Sequence, residues 1–249
     1  MKQLTILFLS VCLSACIGKK KAVKKDDFRS VFNGENLDGW HGDSTYWSVK
    51  EGRLIGEVTP ETILKRNSFI IYQKVQPKDF ELKLEYKISE TGNSGINYRS
   101  KLMDTIPFAL SGYQCDIDGK NRYTGQNYEE KKRTTLAYVG EKVSIPPMPR
   151  NISKNRLRNN VNKNCWQTRT ILDTLGSRLQ LKSHIKSNDW NKVHLIVKGN
   201  RMQHYVNGVL MSDVLDLDTI NRVNKGFLGV QVHIGPPMKV QYKNIRIKY

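Results

Sequence analysis

Residues 80–88 read Phe-Glu-Leu-Lys-Leu-Glu-Tyr-Lys-Ile, apolar at every even position and charged at every odd one. A period of two places alternate side chains on opposite faces of an extended strand, one dry and one wet. That is the signature of an antiparallel sheet with one solvated face, since a buried parallel strand would be apolar throughout. Shorter runs of the same kind follow at Trp190 to Lys198, Met202 to Val206, Val209 to Ser212 and Gly226 to Ile234, rich in aromatic and β-branched residues. Asn207-Gly208 between two of them predicts a two-residue hairpin turn, which needs positive φ at both positions, and Gly199-Asn200 predicts another. In the last segment the apolar phase slips by one between Tyr242 and Ile245, which predicts a bulge near Lys243-Asn244. Only Leu175, Leu179, Leu181 and Ile185 suggest a short amphipathic helix. Successive hairpins without alternating helices predict an all-β fold.

Three runs depart from an ordinary wet face. In Gly95-Ile96-Asn97-Tyr98-Arg99, Tyr113-Gln114-Cys115-Asp116-Ile117-Asp118 and Val230-Gln231-Val232-His233-Ile234, alternation sends Ile96, Tyr98, Tyr113, Cys115, Ile117, Val230, Val232 and Ile234 to a core. Asn97, Arg99, Gln114, Asp116, Asp118, Gln231 and His233 then face the other way. Amides, carboxylates, guanidinium and imidazole are the groups that read sugar hydroxyls at fixed angles, whereas Lys, Glu, Ser and Thr fill a plain wet face. Gly235-Pro236-Pro237 after His233 makes a rigid turn and suggests a cleft edge there. Asp116 and Asp118, about 6.6 Å apart along one strand face, would roughly suit an inverting glycosidase pair. Structural hydrogen bonding is the competing reading of all these polar groups.

The chain begins with Lys2, an apolar run from Leu4 to Leu13 too short to span a bilayer, and then Leu13-Ser14-Ala15-Cys16. This is the pattern of a bacterial lipoprotein signal over residues 1–15, with Cys16 as the lipidated N-terminus and residues 16–27 as a basic tether. The expected location is an exported, lipid-anchored protein on a periplasm-facing or outer membrane. Of four cysteines only Cys115 and Cys165 then remain, too few for a disulfide framework, and Cys115 is expected in the core. The net charge of +18 attracts anions, and Arg150, Lys154, Arg156, Arg158, Lys163 and Arg169 concentrate it in a basic insertion near 150–170. An anionic glycan is one partner for such a surface. Nucleic acid is excluded as a partner by export and by the lack of any recognition motif.

Several stretches in order carry a resemblance: Phe32-Asn33-Gly34-Glu35-Asn36-Leu37-Asp38-Gly39-Trp40, Asp79-Phe80-Glu81-Leu82, Gly92-Asn93-Ser94-Gly95-Ile96, Gly112 to Asp118, Asp189-Trp190-Asn191, Val206-Asn207-Gly208 and Val232 to Pro237. From residue 28 to 249 the chain resembles the 3-keto-disaccharide hydrolase family. The resemblance implies a concanavalin-like jelly-roll sandwich of two antiparallel sheets with its site on a concave face. It also implies cleavage of 3-keto-glycosides by proton abstraction at C2, elimination of the C1 substituent and hydration. On family-matched positions the expected catalytic residues are His233 or Asp116 as base, with Arg99 and Gln114 near the oxyanion. Asn97, Gln114, Asp118, Tyr138 and Gln231 are expected to bind the sugar. No cofactor is certain; a divalent metal is left open, with Asp116, Asp118 and His233 as hard ligands. A non-catalytic, lectin-like carbohydrate-binding lipoprotein is the alternative. The anchor predicts that Cys16→Ser moves the protein from the membrane fraction to the soluble one on fractionation; a variant that stays with the membrane contradicts it.

Overall fold

A computed structural model describes residues 27–166 and 168–249. The signal, Cys16 and all of the tether before Asp27 lie outside these residues. Among the described residues two β-sheets face each other, and the helices are short: Lys154–Asn162, Arg178–Lys182 and one 3-10 turn, Pro60–Thr62. The ten-stranded sheet runs Thr170–Thr174, Glu141–Ile145, Val209–Asp216, Arg201–Val206, Asn191–Lys198, Phe80–Ile88, Met238–Lys248, Arg53–Val58 and Trp47–Lys50, with Arg29–Ser30 also paired to Met238–Lys248. The seven-stranded sheet runs Thr134–Ala137, Asn127–Glu130, Leu110–Asp118, Asn93–Leu102, Phe227–Val232, Ser68–Tyr72 and Trp40–His41. All pairings are antiparallel except Glu141–Ile145 with Val209–Asp216, which is parallel. The architecture is the expected all-β jelly-roll sandwich.

The alternation of residues 80–88 is fulfilled without exception: Phe80, Leu82, Leu84, Tyr86 and Ile88 are buried and the charged residues between them are half-exposed. Opposite them Val193, Leu195 and Val197 pair with Leu84, Leu82 and Phe80, so the dry faces of neighbouring strands coincide. Fully burying each such side chain contributes about 1.5–3 kcal/mol. One continuous core joins these residues to Ile96, Tyr98, Tyr113, Cys115, Ile117, Val230 and Val232 of the other sheet. Asn207 and Gly208 take φ of +50° and +83° in the hairpin, as their sequence requires. The register shift between Lys243 and Arg246, with Asn244 at φ +52°, is the expected bulge. It returns Ile245 and Ile247 to the core. The amphipathic helix is confined to Arg178–Lys182; Leu181 and Ile185 are buried, whereas Leu179 stays exposed. Cys115 is fully buried, and no disulfide joins it to Cys165.

A charged cluster also lies inside the sandwich. Arg133, fully buried, donates to Glu129 through Nε, to Asp216 Oδ2 at 2.6 Å and to Asp216 Oδ1 at 3.1 Å, with Asp218 at 3.5 Å. Tyr113 Oη donates to Asp216 at 2.7 Å. One guanidinium thus serves three carboxylates, and removing it would leave the buried Asp216 carboxylate without its ion-pair partner. Arg133→Met is therefore expected to destabilise the fold by about 3–5 kcal/mol, read as a lowered midpoint in urea; an unchanged midpoint contradicts this role.

Candidate functional site

The outward face of the seven-stranded sheet carries the expected polar groups. Asn97 pairs with Gln114, Gly95 with Asp116 and Gly229 with Asn97, and Gln231 pairs with Phe69 on the next strand. Strand register therefore sets Asn97, Gln114, Asp116 and Gln231 on adjoining rows of one face. They are nevertheless buried, Asn97 and Gln231 completely. Gly95 explains part of the packing: a Cβ there would come within 2.2 Å of Gln114 Cδ. Gln114 uses that space to reach along its own strand, donating from Nε2 to Asp116 Oδ1 at 2.6 Å. Gln126 donates from Nε2 to the other oxygen, Oδ2, also at 2.6 Å.

Asp116, Gln114 and Gln126 line a cavity of about 240 Å³ with Tyr128, Glu130 and His233, joined by Asn93, Tyr123 and Asn164. Burial pushes the Asp116 carboxyl up to about 7, aided by the charges of Glu130 and Asp118 and opposed by the two amide donors. A carboxyl with that value exchanges a proton readily near neutrality, the property a general base or acid needs. Glu130 is also raised by burial, while Lys131, His233, Asn67 and Gln231 hold it down. Tyr128 is pushed up to about 12 by burial and by the Glu130 and Asp116 charges, so its hydroxyl stays a proton donor. His233, half-buried, has Nδ1 at 2.6 Å from the Ile234 carbonyl. A carbonyl only accepts, so Nδ1 carries hydrogen and Nε2 is the ring nitrogen that this bond leaves available.

Other expected site residues lie elsewhere. The ladder shifts register between Tyr98 and Lys101, and Arg99 takes φ +45°. This breaks the alternation: the Arg99 guanidinium donates instead to Lys78 O at 2.7 and 2.9 Å and to Gly199 O at 2.8 Å, tying the two sheets together. Arg99 therefore lies outside the lining of the cavity described above, contrary to the expected position. Asp118 is also turned away from catalysis. Its oxygens accept from the backbone N–H of Arg122 and Tyr123 and from Thr124 Oγ1, closing the turn after its strand. The Asp116–Asp118 pair therefore does not form an inverting glycosidase couple. Tyr138 lies under the Arg169 guanidinium, 4.6 Å from its ring, and donates to Lys163 O at 3.2 Å, outside the cavity lining. Ile234, expected in the core, is exposed because the strand stops at Val232.

Asn97 and Gln231 are fully buried and lie outside the lining of the cavity. Neither amide oxygen nor amide nitrogen of Asn97 has a hydrogen-bond partner, and Gln231 makes no bond of ordinary geometry although it lies close enough to Glu130 to lower its proton affinity. Each unmet buried polar group costs about 1–3 kcal/mol, so hydrogen-bonding capacity is concentrated here. As metal ligands Asp116, Asp118 and His233 do not fit. Both Asp116 oxygens already accept amide hydrogens, Asp118 closes its turn, and no cluster of three His, Cys, Asp or Glu that could hold a metal occurs among the described residues.

Sequence reasoning missed Gln126, Tyr128 and Glu130. They belong to a turn and to a strand of four residues, Asn127–Glu130, too short to show a period. The signal that could have found them is Tyr128, whose strand pairs it directly with Gln114. Because the folded protein holds its Asp116 proton more tightly than the unfolded chain, stability falls as pH rises from the ordinary carboxyl value, 3.8, to about 7. Asp116→Asn removes this contribution. The variant is expected to gain on the wild type between pH 4 and pH 8 in urea denaturation, by on the order of a few kcal/mol; a constant difference across that range contradicts the shift.

Comparison with known proteins places this geometry in a family. A Bacteroides thetaiotaomicron protein named 3-keto-disaccharide hydrolase is 22% identical over 248 residues, covering 91% of this chain and 79% of its own length. A solved structure of a candidate glycosyl hydrolase from Parabacteroides distasonis superposes with a TM-score of 0.54 at 16% identity, over 90% of this chain and 99% of that one. The carbohydrate-binding module CBM66 from Bacillus subtilis superposes with a TM-score of 0.52 at 14% identity, over 85% of this chain and 96% of its own. At these identities the two structures establish the fold alone. Residues 27–248 match the family described as the 3-keto-alpha-glucoside-1,2-lyase-like domain. The chain belongs to that family.

Proposed function

We propose that this protein is a carbohydrate-active enzyme that cleaves 3-keto-glycosides by elimination followed by hydration. The observation that carries the reading is Asp116, a buried carboxyl with a proton affinity near neutrality beside a histidine with one free ring nitrogen. A ketone at C3 acidifies the C2 hydrogen, and Asp116 as carboxylate takes that proton. The C2–H electron pair forms the enolate, whose charge falls on the C3 oxygen. Tyr128, which keeps its hydroxyl proton, is the donor to that oxygen. When the enolate collapses, the C3 carbonyl reforms, a C1=C2 double bond appears and the C1–O bond breaks. The departing oxygen takes the proton that Asp116 removed, restoring the carboxylate, and His233 Nε2 accepts a hydrogen bond from the water that adds next. Water then adds hydroxyl at C1 and a proton at C2, giving net hydrolysis.

Gln114 and Gln126 orient Asp116 and stabilise its charged form. The protein is proposed to act while anchored by lipid at Cys16, where glycosides reach it from outside the cytoplasm. Release of aglycone from a 3-keto-glycoside by the purified protein tests the activity. Deuterium at C2 is expected to slow that release, and Asp116→Asn to lower kcat by about 10²–10⁴-fold. Binding of the glycoside without turnover would contradict the enzyme reading and favour a lectin-like module. Turnover at an unchanged rate with C2 deuterium would contradict elimination by rate-limiting proton abstraction.

A further inference from the structure

The Asp116 cavity has a neighbour at His233. Asn93 and His233 also line a second cavity of about 230 Å³, whose lining includes Lys120 and Arg122. The two cavities are therefore neighbours that share these two residues. By contrast, the cavity of about 390 Å³ beside Phe108 shares no lining residue with the Asp116 cavity. For a ligand longer than one sugar ring, the neighbouring space at His233 is the cavity lined by Lys120 and Arg122.

Positive charge is concentrated at that end. Lys120 is exposed and makes no hydrogen bond or ion pair among the described residues. Arg122 stacks over Tyr123 at 5.1 Å, and Arg178 donates to the Arg122 carbonyl at 2.7 Å. Lys182 is close enough that Arg178 and Arg122 both lower its proton affinity, behind the effect of burial. Opposing charges are few. Glu90 lies on the cavity lining, and Asp118, 3.3 Å from Arg122 Nε, already accepts hydrogens from the backbone of its own turn. Like charges held together repel, and an anion bound among them relieves that repulsion.

We infer that the second cavity receives an anionic group, a carboxylate or a sulfate ester, carried by the sugar on the far side of the cleaved bond. The inference rests on the proposed function for the direction of the cleaved bond, but the preference for charge does not need turnover. It is tested by calorimetric titration of the full chain with three disaccharides: glucosyl-glucose, glucosyl-glucuronate and glucosyl-glucose sulfated at O6. At least one charged disaccharide is expected to bind about fivefold more tightly than the neutral one, and whichever does identifies the anion.

The preference is expected to fade at high salt, to shrink in Lys120→Ala and to vanish in Lys120→Ala/Arg122→Ala. Lys154→Ala/Arg158→Ala, on the exposed basic helix, should retain it. Equal affinities for all three sugars, no binding of any, or a preference that survives Lys120→Ala/Arg122→Ala would overturn the inference. A charge preference without turnover of any 3-keto-glycoside would instead defeat the proposed reaction and leave the anion site standing.

Discussion

The site depends on the placement of one carboxyl group out of water. Asp116 sits on a sheet face that would ordinarily be wet, and the loss of hydration favours its protonated form. Two amide N–H donors favour the ionised form, one on each oxygen. The opposing effects leave the group balanced near neutrality. Their balance rests on Gly95, because the missing side chain there gives Gln114 its path across the strand.

The rest of the sandwich keeps that arrangement rigid. His204 of the larger sheet is fully buried, and its proton affinity is lowered to about 4, so the ring is neutral at pH 7. Its Nδ1 lies 3.3 Å from the carbonyl of Gln126, the residue whose side chain holds Asp116, and its Nε2 lies 2.8 Å from Tyr98 Oη. Tyr98 in turn accepts from Asn127 Nδ2 at 3.1 Å. Polar contacts between the two sheets therefore fix the loop behind the carboxyl. Arg99 and Arg133 act in the same sense, one tying the sheets together and the other gathering three buried carboxylates. Buried charges of this kind are weak sources of stability but strict about geometry.

Much of this was legible in the chain, and the limits have physical causes. Strong alternation such as that from Phe80 to Ile88 determines face, because each side chain has only two directions to point. Asn97, Gln114, Asp116 and Gln231 were placed on one face by the same rule, and register brought them together. Alternation fails where a bulge intervenes, which is why Arg99 points elsewhere. It also says nothing about whether a polar group is already engaged, so Asp118 looked like a partner for Asp116 while it was closing a turn. Tyr128 and Glu130 come from a strand too short to have a period, and only their pairing with the Leu110–Asp118 strand brings them to the cavity. The family motifs extended further than the alternation, since they run in order through nearly all of the sandwich domain.

The central claim concerns a single proton. Selective carbon-13 labelling of aspartate and NMR titration of the native protein, with Asp116→Asn to assign the resonance, reads it directly. The account predicts a carboxyl that titrates with a midpoint near 7. A midpoint near 4, the value of a solvated aspartate, would contradict it.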